Sequence, residues 1–111
     1  MSQASFESLP RRVQFLMTAS RLTAGDREVE YGKPFDNFTN CAGLFTAYIT
    51  GKYRGISIDE AQFFLTAEDV AWLNVLQKIA RTFSGQIKPD TYIDAAAYAA
   101  IAGECAEAAK S

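Results

Sequence analysis

The most informative absence in this chain is histidine: none of its 111 residues is one. Without imidazole there is no Ser-His-Asp or Cys-His nucleophile, no HExxH zinc site, and no histidine-ligated haem or facial-triad iron. Catalysis would have to run on carboxylates, amines, hydroxyls or a hard metal. Cysteine is scarce as well. Cys41 and Cys105 have neither CxxC spacing nor enough partners for a tetrahedral metal site. Each falls in an apolar helical stretch, the setting of a free thiol packed as a small hydrophobe. Long apolar runs are missing too. The longest segment without a charged or strongly polar side chain, Ala95 to Gly103, is far short of the ~20 residues of a spanning helix, and the N-terminus has no apolar signal core. A reducing cytosol and no membrane are the expectation.

Charge of one sign is nowhere concentrated. Eleven Lys and Arg against 13 Asp and Glu give a net charge of -2. Residues 1–55 carry seven basic and five acidic side chains, and residues 56–111 carry four and eight. No dense basic stripe exists, so binding to duplex DNA through phosphate neutralisation is disfavoured, while a small anionic ligand stays open. Glycine-rich phosphate cradles are absent: GKYRG at 51–55 lacks the GxxxxGK[ST] spacing, and there is no GxGxxG. What the chain does have is 49% apolar and 13% aromatic residues in 12.2 kDa, enough for one compact core.

Residues 1–7 read as a flexible polar leader and 8–111 as a single helical domain. Ser8 offers an N-cap and Pro10 a first turn, and Val13, Phe15, Leu16, Met17 and Leu22 give a first helix one broad apolar side, ending near Gly25. GDREVEYGKP, residues 25–34, with two glycines, a proline and five charged side chains, marks a connector. Pro34 opens a second helix with Phe38, Cys41, Ala42, Phe45 and Ile49 on one side and Asn37 at its border, closed by Gly51. Residues 51–65 read as an irregular crossing with a short turn near Asp59 to Phe63. Thr66-Ala67-Glu68-Asp69 is a capping box that starts a third helix to about Phe83, with Trp72, Leu76, Ile79 and Phe83 inward and Asn74, Lys78 and Arg81 on the other side. A fourth, alanine-rich helix runs from about Asp90 to Ala108. Its small face favours close helix contact within the chain or across a dimer, and little core of its own favours a homo-oligomer. The fold class is all-α, a four-helix bundle-like domain.

Polar groups on apolar sides are the candidates for chemistry. Asp94 shares a side with Tyr98, Ile101 and Cys105, and Asp69 faces the same way as Trp72, Leu73 and Leu76. A carboxylate so placed must be paired, hydrogen-bonded or metal-bound. For Asp69 the competing role is the helix cap, and Thr91-Tyr92-Ile93-Asp94 repeats the same T-x-x-D form. The Tyr98 phenol, one turn on, comes within hydrogen-bond range of Asp94, and Asp94 with Asp90 would suit Mg²⁺, a hard cation that takes oxygens and phosphate. Lys78, Arg81, Arg27 and Lys33 would then grip phosphates, against the plainer role of a solvated helix side and a charged loop. Phe35, Phe38, Tyr48, Tyr53, Phe63 and Phe64 read mostly as core, and Tyr31 as the aromatic placed to meet a ligand.

Three ordered blocks carry a resemblance: GDREVEYGKPFDNF, TAEDVAWLNVLQKIAR and DTYIDAAAYAAIAGE. Over about residues 23–107 the chain resembles an uncharacterised family of short phage and prophage proteins. Those share G-D-R-x-x-x-Y-G-x-P-x-x-N-F, then D-V-A leading to K-x-A-R, then D-x-x-x-D-x-A-x-Y. That family is similar in turn to the MazG-like nucleoside triphosphate pyrophosphatases, helical oligomers that hold Mg²⁺ with acidic residues on two helices. The resemblance implies a protein of the host-cell cytosol that handles a small phosphorylated ligand, as a Mg²⁺-dependent pyrophosphohydrolase that cleaves a nucleotide between its α- and β-phosphates or as a degenerate relative of one. Asp94 and Asp69 would act in catalysis, and Asp69, Asp94, Asp90 and Asp36 would hold Mg²⁺. Asn37, Lys78, Arg81, Arg27, Tyr31 and Tyr98 would bind substrate. The chain departs from the pyrophosphatase pattern on helix two: where they carry E-x-x-E, it reads Phe35-Asp36-Asn37-Phe38-Thr39-Asn40, one carboxylate and two amides. Fewer carboxylates weaken Mg²⁺ binding and general-base supply. Two other readings follow: a non-catalytic binder that sequesters a nucleotide signal or occludes a host defence protein, and a structural role in which Asp94 and Lys78 form an internal ion pair.

Overall fold

A computed structural model describes residues 5–25 and 33–110. Among them no strand occurs, and four α-helices dominate: α1 Arg11–Ala24, α2 Pro34–Ile49, α3 Ala67–Arg81 and α4 Pro89–Ala108. The all-α expectation holds. Helix starts follow local chemistry. Pro34 and Pro89 occupy the first turns of α2 and α4, where a missing N–H costs nothing and φ is preset. At α3 both halves of the capping box form: Asp69 N–H donates to the Thr66 hydroxyl at 3.2 Å, and Thr66 N–H donates to Asp69 Oδ2 at 2.9 Å. The last residue of α2 runs into a wider turn, Thr50–Arg54, stopped by Gly55 at φ 65°, and a tight turn Thr82–Ser84 after α3 is stopped by Gly85 at φ 83°. Both stops use the left-handed backbone that glycine adopts without a Cβ clash. Ile58–Glu60 forms the short turn expected inside the crossing.

The start of α1 differs from expectation. Pro10, not Ser8, stands at the cap, and the Ser8 hydroxyl donates to the Ser5 carbonyl instead. Gln14 is buried and its amide donates to the Leu9 carbonyl at 2.8 Å and the Glu7 carbonyl at 3.4 Å, while its oxygen accepts from Arg11. The end of the polar leader is thereby tied to α1. Leu16, Met17 and Leu22, expected on the buried side, are exposed. What α1 buries is Ala19 against Ile93 and Ala97 of α4, with Phe15 and Ala96 alongside; Phe15 also stacks on Tyr92 at 6.1 Å between centroids. Small side chains win here because they let the two helix backbones approach.

The same rule overturns the expected orientation of α3. Trp72, Leu76, Ile79 and Phe83 do not point inward; all four are exposed. Ala67, Val70 and Ala71 are buried instead, and Lys78, placed by sequence on the side away from the core, is 12% exposed and faces α4. Most of α2's apolar side behaves as expected, although Phe45 is exposed and Thr46 and Thr50 are fully buried with Ala42. The two threonines satisfy their hydroxyls locally: Thr46 donates to the Ala42 carbonyl at 2.7 Å and Thr50 to that of Thr46 at 2.8 Å. The Thr46 oxygen also accepts from Leu65 N–H at 2.9 Å, pinning the end of the crossing segment to α2. Tyr48, Tyr53, Phe63 and Phe64 are exposed rather than core, and the Lys52 ammonium lies over the Tyr48 and Tyr53 rings.

Candidate functional site

Helices α3 and α4 pack along their length, joined by the turn at Thr82–Ser84 and Gly85. Where they meet, a cleft of about 820 Å³ is lined by Arg81, Ser84, Gln86, Lys88, Asp90, Thr91 and Asp94, with Ala80 and Pro89 completing its wall. Arg81 comes from the last turn of α3 and Asp90 from the first turn of α4. At its inner edge Asp94 Oδ2 meets Lys78 Nζ at 3.2 Å, with the two side chains 33% and 12% exposed. The pair explains how α3 tolerates an inward lysine. A largely buried lysine needs a counter-charge, and the K-x-A-R block supplies one end while the D-x-x-x-D block supplies the other.

Four expected site residues thus come together: Lys78, Arg81, Asp90 and Asp94. Others do not. Asp69 is committed to the α3 cap and does not line the cleft. Asp36 and Asn37 sit exposed on the first turns of α2, away from the lining. Tyr98 stacks on Phe38 at 6.3 Å between centroids, an α2–α4 contact, and makes no hydrogen bond to Asp94 among those found in the described residues. Thr91 lies inside α4, whose cap is Lys88, so the second T-x-x-D run is not a capping box. Arg27 and Tyr31 lie outside the described residues. Lys88, Ser84 and Gln86 were not singled out in sequence; a cation directly before Pro89 at a helix start was the available signal.

The four carboxylates that the resemblance implied for Mg²⁺ do not gather in one place. Among the described residues no group of three or more Asp, Glu or Cys side chains gathers, and of the four candidate carboxylates only Asp90 and Asp94 share the cleft. One of those is already matched by Lys78. Toward an anion the arrangement is better provided: the Arg81 fork, the Lys88 ammonium and the positive end of a 20-residue helix border one space. Neither cysteine adds reactivity there. Burial, then the charges of Glu104 and Glu68, push the Cys105 thiol up from its ordinary value, and both cysteines are free. Among the described residues no helix is long and apolar enough to cross a membrane.

Two curated relatives are both named "Gene 55 protein". That of Mycobacterium phage D29 is 36% identical over 84 residues, 76% of this chain and 48% of the relative. That of Mycobacterium phage L5 is 34% identical over 89 residues, 80% of this chain and 50% of the relative. The chain therefore spans about half the length of the curated relatives it matches. No solved structure matches. A family model described as "Domain of unknown function (DUF6378)" matches residues 14–106, which takes in α2 and α3 and most of α1 and α4, and the chain belongs to that family, one with relatives among phage proteins.

Proposed function

We propose that this protein binds a small phosphorylated ligand, a nucleotide, in the α3–α4 cleft and holds it without turnover. The observation that supports this reading is the placement of Arg81 and Lys88 in the lining of one cleft at the start of α4, with the nearby Asp94 charge already matched by Lys78. Arg81 would take phosphate oxygens in its fork, Lys88 would add a point charge, and the positive end of α4 would favour the anion. Asp90, on the same rim, favours a sugar hydroxyl over a further phosphate. Sequestration of a nucleotide signal is the role that follows, and the MazG-like kinship, where it survives, survives as affinity.

A thermal-shift and calorimetric screen of nucleoside triphosphates, with and without Mg²⁺, tests this directly. At least one nucleotide should raise the melting temperature whether or not EDTA is present, because a ligand specific to the native state stabilises it by mass action. The ligand should be recovered intact after denaturation. The double change Arg81→Ala/Lys88→Ala should weaken binding more than tenfold and leave helix content unchanged. Lack of affinity for every nucleotide at millimolar concentration removes the reading. Release of pyrophosphate in Mg²⁺ would replace it with the hydrolase reading.

A further inference from the structure

The outward side of α3 carries an apolar row that neither the cleft nor the helix packing uses. Trp72, Leu76 and Ile79 recur at helical spacing, Phe83 continues the row into the closing turn, and Leu73 and Ile87 flank it. All six are exposed, Leu76 at 57% and Phe83 and Ile87 at 82% each. The interior is correspondingly thin: among the described residues the largest fully buried side chains are Val70, Thr46, Thr50 and Cys105. The Cα radius of gyration is 17.1 Å, against about 13 Å for a compact domain of this length. Many large apolar residues are thus exposed, and six of them follow one another along this side of α3 and just past its end.

We propose that this side of α3 is a two-fold interface with a second copy of the chain. Two features select a copy over a different partner. The six side chains leave on the order of 600 Å² of apolar surface open, close to the about 800 Å² that each partner contributes to a stable interface. An isologous contact must also match itself. The row from Trp72 to Phe83 carries no charged side chain on that side, so facing its own copy opposes no like charges. Glu68, at the edge, accepts from the Trp72 indole at 3.0 Å and holds the ring across the row. The interface does not involve ligand in the cleft, so the two proposals stand or fall separately.

Light scattering coupled to size exclusion, without any nucleotide, gives the test. At about 100 μM the chain should show about twice its 12.2 kDa mass, or a multiple of that. Leu76→Glu should halve the mass with circular dichroism unchanged, since Leu76 is exposed in the single chain. Leu16→Glu, on α1, should leave the mass as it was. A single-chain mass for the unmodified protein, an unaltered mass for Leu76→Glu, or dissociation by Leu16→Glu overturns the proposal. Trp72 is the only tryptophan, so iodide quenching of the unmodified protein reads the same surface. Quenching should rise on dilution as the copies separate, and a Trp72 equally accessible before and after dissociation also overturns it.

Discussion

The two sides of α3 obey opposite rules. The side toward α4 is made of Ala67, Val70 and Ala71 and ends in the Lys78–Asp94 pair, whereas the side away from it holds Trp72, Leu76 and Ile79. By apolar area the second side is the better core, yet the chain packs through the first. Closeness of backbones decides which neighbour α3 chooses within its own chain, because alanines on both helices let many atoms touch at once. Area governs what is left over. A helix can therefore be amphipathic in the usual sense and still present its apolar side outward.

That contrast can be broken most sharply at Ala71, which has no exposed surface. Ala71→Leu should overpack the inner side and cost about 3 kcal/mol, seen as a lower denaturation midpoint, while Ala80→Leu on the exposed surface should cost almost nothing. Next in size is Thr46→Val, which keeps the shape but leaves the Leu65 N–H without its acceptor. A loss of about 2 kcal/mol in urea unfolding is expected. Asp94→Asn should follow with about 1 kcal/mol, a fall of several degrees in melting temperature, because Asp94 keeps a third of its side chain in solvent. A cycle with Lys78→Met should be clearly non-additive if the pair is the reason. The smallest effect concerns pH. The buried Cys105 thiol keeps its proton to higher pH than the unfolded chain does. Its share of stability is whole below the unfolded thiol value of about 8.5 and lost as pH rises through the folded one. Urea melts from neutral to alkaline pH should show a shallow decline that Cys105→Ala flattens.

Helix boundaries were legible because they depend on neighbours in sequence. Pro34, Pro89 and the Thr66–Asp69 box each act within a turn of themselves. Orientation was not legible in the same way. The period of Trp72, Leu76 and Ile79 tells which side is apolar but not what covers it, and no local signal separates a neighbour in the chain from one outside it. Three of the nine residues that line the cleft were readable for a related reason: Arg81, Asp90 and Asp94, with Lys78 beside them, sit in short blocks whose register each helix preserves. Their meeting depends on α3 turning its lysine inward, which sequence placed the other way. Thr46 and Thr50 were passed over although Ala42, Thr46 and Thr50 recur every four residues. Hydroxyls that bond their own helix can be buried without an external partner.

The joint between α3 and α4 has a kinetic consequence. Gly85 reverses the chain within a few residues of the end of α3, so the longest helix contact in the molecule links segments adjacent in sequence. Closing so short a span costs little entropy, and low contact order favours its early appearance during refolding. The hairpin would then serve as the template on which α1 and α2 condense.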